Sequence, residues 1–112
     1  MKIVVTAQGD NISAFVDPRF GRCQYFLFID TDSMRVEALH NAAQGAAGGA
    51  GVQAAQFVIE KGAQAVITGS VGPNADEVLK KANIPVYRGA GTIQSTVEKF
   101  KTEKLPLNTS RD

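Results

Sequence analysis

Four side chains in this sequence have the chemistry to grip a ligand or a metal. Three of them fall within five residues: Arg19, Arg22 and Cys23 lie in the stretch "VDPRFGRCQYFLFID", and His40 follows further along the chain. Cys23 and His40 are the only residues of their types. A thiolate and an imidazole are soft ligands for transition metals, or the nucleophile and base of a hydrolase. As a hydrolase the pair lacks a third, orienting residue and a recognisable oxyanion motif. As a structural zinc site it lacks two of four ligands. One or two protein ligands are enough, however, to dock a larger metal cluster that brings its own sulfides. The plain alternative is a small, half-buried cysteine beside a strand and a surface histidine at a strand end.

Whether the two can meet depends on a hairpin. "YFLFID", Tyr25 to Asp30, is an apolar strand-like run, "DTDS" is a turn, and "MRVEALH" alternates as a return strand. A two-residue or four-residue loop makes opposing residue numbers sum to 63 or 65. The first register sets Cys23 opposite His40. The second sets Tyr25 opposite His40 and leaves Cys23 one diagonal away. Both predict one shared face and a separation of about 4.5 to 8 Å, and a bulge would reverse that conclusion. Arg19 and Arg22 flank Phe20 and Gly21, a glycine that allows a sharp turn between them. Guanidinium groups fit anions through paired hydrogen bonds, and ordinary surface salt bridges are the alternative.

The elements that must position these residues follow from periodicity. Ile3 to Ala7 is a continuous apolar strand of the kind buried on both faces. After the hairpin comes "NAAQGAAGGAG", too poor in large apolar groups to be core. Val52, Ala55, Val58 and Ile59 then mark a helix, with Gly62 where a left-handed C-terminal residue belongs. "AVIT", Ala65 to Thr68, is a fourth strand. Pro73 opens a second helix with Ala75, Val78, Leu79 and Ala82 on one stripe. "IPVY" is a fifth strand, and Thr92 caps a third helix whose buried side is Ile93, Val97 and Phe100. The order β-β-β-α-β-α-β-α predicts a single α/β domain over residues 1–104, with three helices on a mixed five-stranded sheet. By analogy this is a ribonuclease-H-like three-layer arrangement with sheet order 3-2-1-4-5. Residues 105–112 read as a flexible tail.

In such sheets ligands bind outside the carboxyl ends of the parallel strands. Those ends read "QGDN", "TGSVGPN" and "RGAG", and "GGAG" precedes the first helix. Glycine-rich turns into helix N-termini attract anions, although tight strand-to-helix turns need glycine anyway. Gly49, Gly51, Gly69, Ser70 and Asn74 are the candidates on this rim. No Gly-Lys-Ser/Thr and no GxGxxG directly after a strand supports a nucleotide site. A two-metal nuclease is excluded for want of converging carboxylates: the first and fourth strands carry none.

Twelve Lys and Arg against eleven Asp and Glu give a net charge of +1, no footprint for nonspecific nucleic-acid binding. No apolar run reaches the ~20 residues that span a bilayer, and "MKIVVTAQGD" lacks a signal peptide's apolar region. A single cysteine permits no internal disulfide, which fits a reducing compartment, so the cytoplasm is the expectation.

"VDPRFGRCQYFLFID", "AAGGAGVQAA" and above all "GAQAVITGSVGPNADEVLKKANIPVY" resemble the dinitrogenase iron–molybdenum cofactor biosynthesis family, as a small, stand-alone, NifX-like member. The resemblance covers nearly the whole chain and implies a ribonuclease-H-like fold and a non-catalytic role. Such proteins bind the iron–molybdenum cofactor or its iron–sulfur precursor and pass it to the next protein. The expected function is therefore a cluster carrier, not an enzyme. Its cofactor-binding rim would comprise Arg19, Phe20, Gly21, Arg22, Gly49, Gly51, Gly69, Ser70 and Asn74, with Cys23 and His40 touching iron. Its partners would be the metallocluster and a cluster-assembly or acceptor protein, with no nucleic acid and no membrane. The sequence departs from the family at Arg19 and Gln44, where members often carry histidine, and at Cys23, which commonly corresponds to a small residue. The alternative is an interaction module that docks onto a cluster-assembly enzyme without a ligand of its own. An anion sensor or enzyme comes third.

Overall fold

A computed structural model describes residues 1–108. Its elements are β1 (Lys2–Ala7), β2 (Tyr25–Asp30), β3 (Val36–His40), α1 (Ala50–Glu60), β4 (Ala65–Thr68), α2 (Pro73–Lys81), β5 (Val86–Arg88) and α3 (Ile93–Lys101). They form one α/β domain around a five-stranded sheet in the order β3-β2-β1-β4-β5. The pair β1–β2 and the pair β2–β3 are antiparallel, whereas β4 runs parallel to both β1 and β5. Each parallel step is made through a helix, as the loop lengths require.

Strand parity splits the core into two layers. Val4, Phe26, Phe28 and Val66 face α1 and α2, meeting Ala54, Val58, Ala75 and Leu79. Ile3, Val5, Leu27, Ile29 and Ile67 face the other way and meet Ile93 and Val97 of α3. The continuous apolar runs of β1 and β4 are explained by this: both faces of each strand are covered.

The hairpin takes the register in which residue numbers sum to 65, pairing Tyr25 with His40. Asp30 makes the turn. Its carboxylate accepts the backbone N–H groups of Asp32 and Ser33, which holds its pKa below the ordinary value. Met34 sits at φ 59, so β3 begins at Val36 and not at the start of the alternating run.

The segment from Leu105, expected as a loose tail, runs beside β5 as far as Asn108. The Arg88 N–H donates to the Pro106 carbonyl at 2.9 Å and the Asn108 N–H to the Val86 carbonyl at 2.8 Å. The rest of that expected tail, residues 109–112, lies outside the described residues. Among the described residues no helix is long and apolar enough to cross a membrane.

Candidate functional site

The carboxyl ends of β1 and β4 open onto a loop, residues 17–23, that carries both arginines. Its base is a buried polar knot. Thr6 Oγ1 donates to the Asp17 carbonyl and stands 2.7 Å from Thr68 Oγ1. Asp17 itself is 2% exposed. Its carboxylate accepts the Arg19 N–H at 2.9 Å and Arg19 Nε at 3.3 Å, and the Arg19 side chain remains 62% exposed. The Asp17 hydrogen bond and its charge raise the Arg19 pKa further above its ordinary value. Arg19 thus keeps its cation at the rim, anchored at one edge.

The loop lies across the N-termini of two helices. Phe20 is buried edge-on to Phe26, with ring centroids 6.2 Å apart, and pins the loop to the α1–α2 layer. A Cβ at Gly21 would fall 2.7 Å from the Gly51 nitrogen and 2.8 Å from its Cα, so the loop rests directly on the first turn of α1. On the other side the Ser70 N–H donates to the Pro18 carbonyl at 2.8 Å, and the Phe20 N–H to the Ser70 carbonyl at 3.2 Å. A Cβ at Gly69 would stand 2.5 Å from Pro18 Cα. A Cβ at Gly51 would lie 3.3 Å from that of Ala75, so the first turns of α1 and α2 abut.

Neither of these two N-termini receives a side-chain cap. α1 starts from Gly49 in the left-handed region at φ 74, with no acid in its first turn. α2 starts from Gly72 with Pro73 at its head and Asp76 in its first turn, and Asp76 is paired with Lys80 at 3.4 Å. Asn74 is exposed at the second position of α2. Two partial positive poles side by side, against the loop that carries the exposed Arg19, favour an anion between them.

α3 is different, and here the expected rim contracts. Its Ile93 and Gln94 N–H groups donate to the carbonyls of Ala14 and Ile12 at 2.9 and 3.0 Å, and Thr92 Oγ1 accepts from the Ser95 N–H. The chain after "QGDN" covers that N-terminus. Residues 12–16 therefore satisfy the N-terminus of α3 and the Gly91 carbonyl, which takes that helix end out of the rim.

Cys23 and His40 are not brought together. The residues between Arg22 and Tyr25 break strand parity, so Cys23 turns into the α1–α2 layer at 0% exposure. Its Sγ lies 3.4 Å from the Phe20 carbonyl. Burial, then the charge of Asp17, push its thiol pKa up to about 12. The His40 ring packs edge-on to Tyr25, with centroids 5.4 Å apart, and Tyr25 belongs to the α3 layer. The shared face expected for this pair is replaced by opposite faces, the outcome that a break in parity produces. Arg22 also departs from the expected lip. Its guanidinium donates to the carbonyls of Gln44, at 3.0 Å, and Ala46, tying down the glycine-rich segment.

The residue that sequence reasoning missed is Asn41, 3% exposed. Its Nδ2 donates to the carbonyls of Gly21 at 3.1 Å and Cys23 at 2.9 Å, and its Oδ1 accepts the Ala43 N–H at 3.0 Å. It clamps the arginine loop to the segment before α1. The signal was present: an Asn directly after a strand and before small residues is a turn former.

The described residues line several concavities. One of about 250 Å³ lies beside the rim, between Phe26, Asn41, Gln53 and Phe57. A larger one, about 600 Å³, lies at the opposite end of β1, between Met1, Asp32, Tyr87 and Phe100. Size alone does not select the latter, which is lined by neither the first turn of α1 nor that of α2. Among the described residues no group of three or more His, Cys, Asp or Glu could cage a bare metal ion.

A small α/β domain with two abutting helix N-termini and an exposed arginine at the ends of β1 and β4 is what fold and site define. Residues 1–103 match the family model described as dinitrogenase iron-molybdenum cofactor, and the chain belongs to that family. It is similar to the apo form of the orange protein from Desulfovibrio gigas: 38% identical, covering 96% of this chain and 92% of that one, with a TM-score of 0.90. It also resembles a Thermotoga protein provisionally named as a NifB protein, at 34% identity and a TM-score of 0.82, over 95% and 91% of the two chains. An uncharacterized protein of Methanocaldococcus jannaschii is 29% identical over 109 residues, 94% of this chain and 89% of that protein.

Proposed function

We propose that the chain is a non-catalytic carrier of a preassembled, anionic metal–sulfur cluster, either the iron–molybdenum cofactor or an iron–sulfur precursor of it. The observation that carries this reading is the pair of abutting N-termini of α1 and α2, neither with a side-chain cap, on which the Arg19-bearing loop is seated. Such a cluster carries negative charge and exposed sulfides, which accept hydrogen bonds from backbone N–H groups. Gly49, Gly51, Gly69, Ser70 and Asn74 would supply the backbone approach, and Arg19 an exposed cation. Family membership supports the class of cargo. That the orange protein has an apo form implies a ligand-bearing state for that relative. Cys23 takes no part in this reading, since a buried, protonated thiol is a poor ligand. We read the architecture as ribonuclease-H-like without the converging acids that such a fold needs for nuclease chemistry. Cargo would arrive from and leave to assembly proteins, in the cytoplasm.

The test is anaerobic. Purified protein is mixed with isolated iron–molybdenum cofactor, and separately with a four-iron four-sulfur cluster, then gel-filtered and assayed for bound iron and sulfide. The wild type and a Cys23→Ala, His40→Ala double variant should both retain cluster. Arg19→Gln should retain less, and rising salt should weaken the wild type. A wild type that retains neither cluster refutes the carrier and leaves a docking module as the better account.

A further inference from the structure

The family match covers residues 1–103, and beyond it the chain runs on beside β5. Leu105 to Asn108 lies along β5, with Tyr87 bridged antiparallel to Leu107. Leu107 points out, 60% exposed, whereas Asn108 turns in at 3%. Between this segment and α2 a cavity of about 240 Å³ remains, lined by Asp76, Lys80, Ile84 and Leu107. Leu105 packs against the α3 layer, and beyond it the segment is held by hydrogen bonds. One of those bonds leaves β5 altogether: Asn108 Nδ2 donates to the Gly69 carbonyl at 3.2 Å.

Gly69 stands where β4 meets the rim. Its backbone is pressed on Pro18, the next N–H donates to Pro18, and the next carbonyl accepts from Phe20. A hydrogen-bonded path therefore runs from Asn108 through Gly69 and Ser70 into the arginine loop. A segment that only covered the open edge of β5 would need the backbone ladder alone. The side-chain bond to Gly69 adds nothing to that ladder.

We infer that Leu105–Asn108 is a strap, outside the family-matched part of the chain, whose Asn108 amide positions the Gly69–Ser70 turn of the rim. Resting on the carrier reading, this makes Asn108 a positioning residue for cargo retention. The experiment uses the full chain and Asn108→Asp, which keeps the size of the side chain but replaces the donor with a carboxylate facing a carbonyl. A second variant stops after Lys104. Amide hydrogen exchange is followed by NMR, and loss of bound iron–molybdenum cofactor by gel filtration.

In Asn108→Asp, exchange at Ser70 and Phe20 should rise by a factor of about 3 to 10, the worth of one such bond. Val66 and Ile67, inside the sheet, should not change. Cofactor loss should quicken by a similar factor. Below pH ~4 the new carboxyl regains a proton to donate, so the gap from the wild type at the same pH should narrow. The truncation should add loss of protection at Arg88. The inference is overturned if Asn108→Asp leaves Ser70 and Phe20 at wild-type rates while truncation affects Arg88 alone, for the strap then only covers an edge. If the wild type retains no cofactor, the carrier reading fails, and the exchange rates still decide the strap.

Discussion

Alanine at position 21 gives the most direct test of how the rim is built. Gly21 is not among the residues at positive φ, so alanine is conformationally allowed there. Loss of unfolded-chain entropy alone would stabilise the protein by about 0.4–1 kcal/mol. Against this, the new Cβ would sit 2.7 Å from the Gly51 nitrogen, 2.8 Å from its Cα and 3.1 Å from the Ala50 carbonyl carbon. All three are backbone atoms of a helix and cannot rotate aside. Overpacking of this kind costs about 1–3 kcal/mol, so the net effect should be a loss of about 1–2 kcal/mol. At an unfolding entropy of about 2.1 cal/mol/K per residue, that lowers Tm by about 4–9 °C. The controls come from the same sequence. Gly45 and Gly48 have open space around them and no positive φ, so alanine at either should be neutral or slightly stabilising. Urea unfolding followed by far-UV circular dichroism measures all three. If Gly21→Ala matches Gly48→Ala within ~0.5 kcal/mol, the loop is not seated on α1. The abutting-poles argument would then lose its geometry. Cluster retention measured beside stability should fall for Gly21→Ala and hold for Gly48→Ala.

Other consequences are as concrete. At pH 8 the Cys23 thiol, with its pKa raised from 9.0 to about 12, should react with alkylating reagents on the order of a thousandfold more slowly than an ordinary thiol. The same shift links to stability: the contribution is complete below pH 9 and is lost as pH rises towards 12, because the unfolded chain gives up its proton first. Cys23→Ala should flatten that alkaline decline in urea titrations. Asn41→Leu strands the Gly21 and Cys23 carbonyls and the Ala43 N–H, and should cost about 2–3 kcal/mol by chemical denaturation. His40→Ala removes an edge-on contact with Tyr25 worth about 0.5–1 kcal/mol, and cluster retention should not change.

Much of the fold was legible because period and punctuation agree along this chain. The unbroken apolar runs of β1 and β4 announced burial on both faces, and Gly62, Pro73 and Thr92 sit at the helix boundaries where their backbone chemistry belongs. The hairpin was narrowed to two registers, and the structure takes the second. The site was harder to read. Arg19 and the glycines before α1 and α2 read as one rim, yet two other glycine-rich loops looked the same in sequence. What separates them is a third segment: the carbonyls of Ile12 and Ala14 occupy the N-terminus of α3 and leave those of α1 and α2 alone.

Periodicity and turn chemistry thus determined the elements and their order, and short motifs carried the resemblance to the family, because each is a property of neighbouring residues. Tertiary structure alone decided which polar groups remain available. Cys23 and His40 were parted by an irregular step of two residues before β2, Arg22 was spent on carbonyls twenty-odd residues away, and Asn108 was carried to Gly69 by the pairing of the strap with β5. A side chain's type says what it can bind. Only the packed chain says whether that capacity is already satisfied from within, and desolvation makes such internal pairing close to obligatory for every buried polar group.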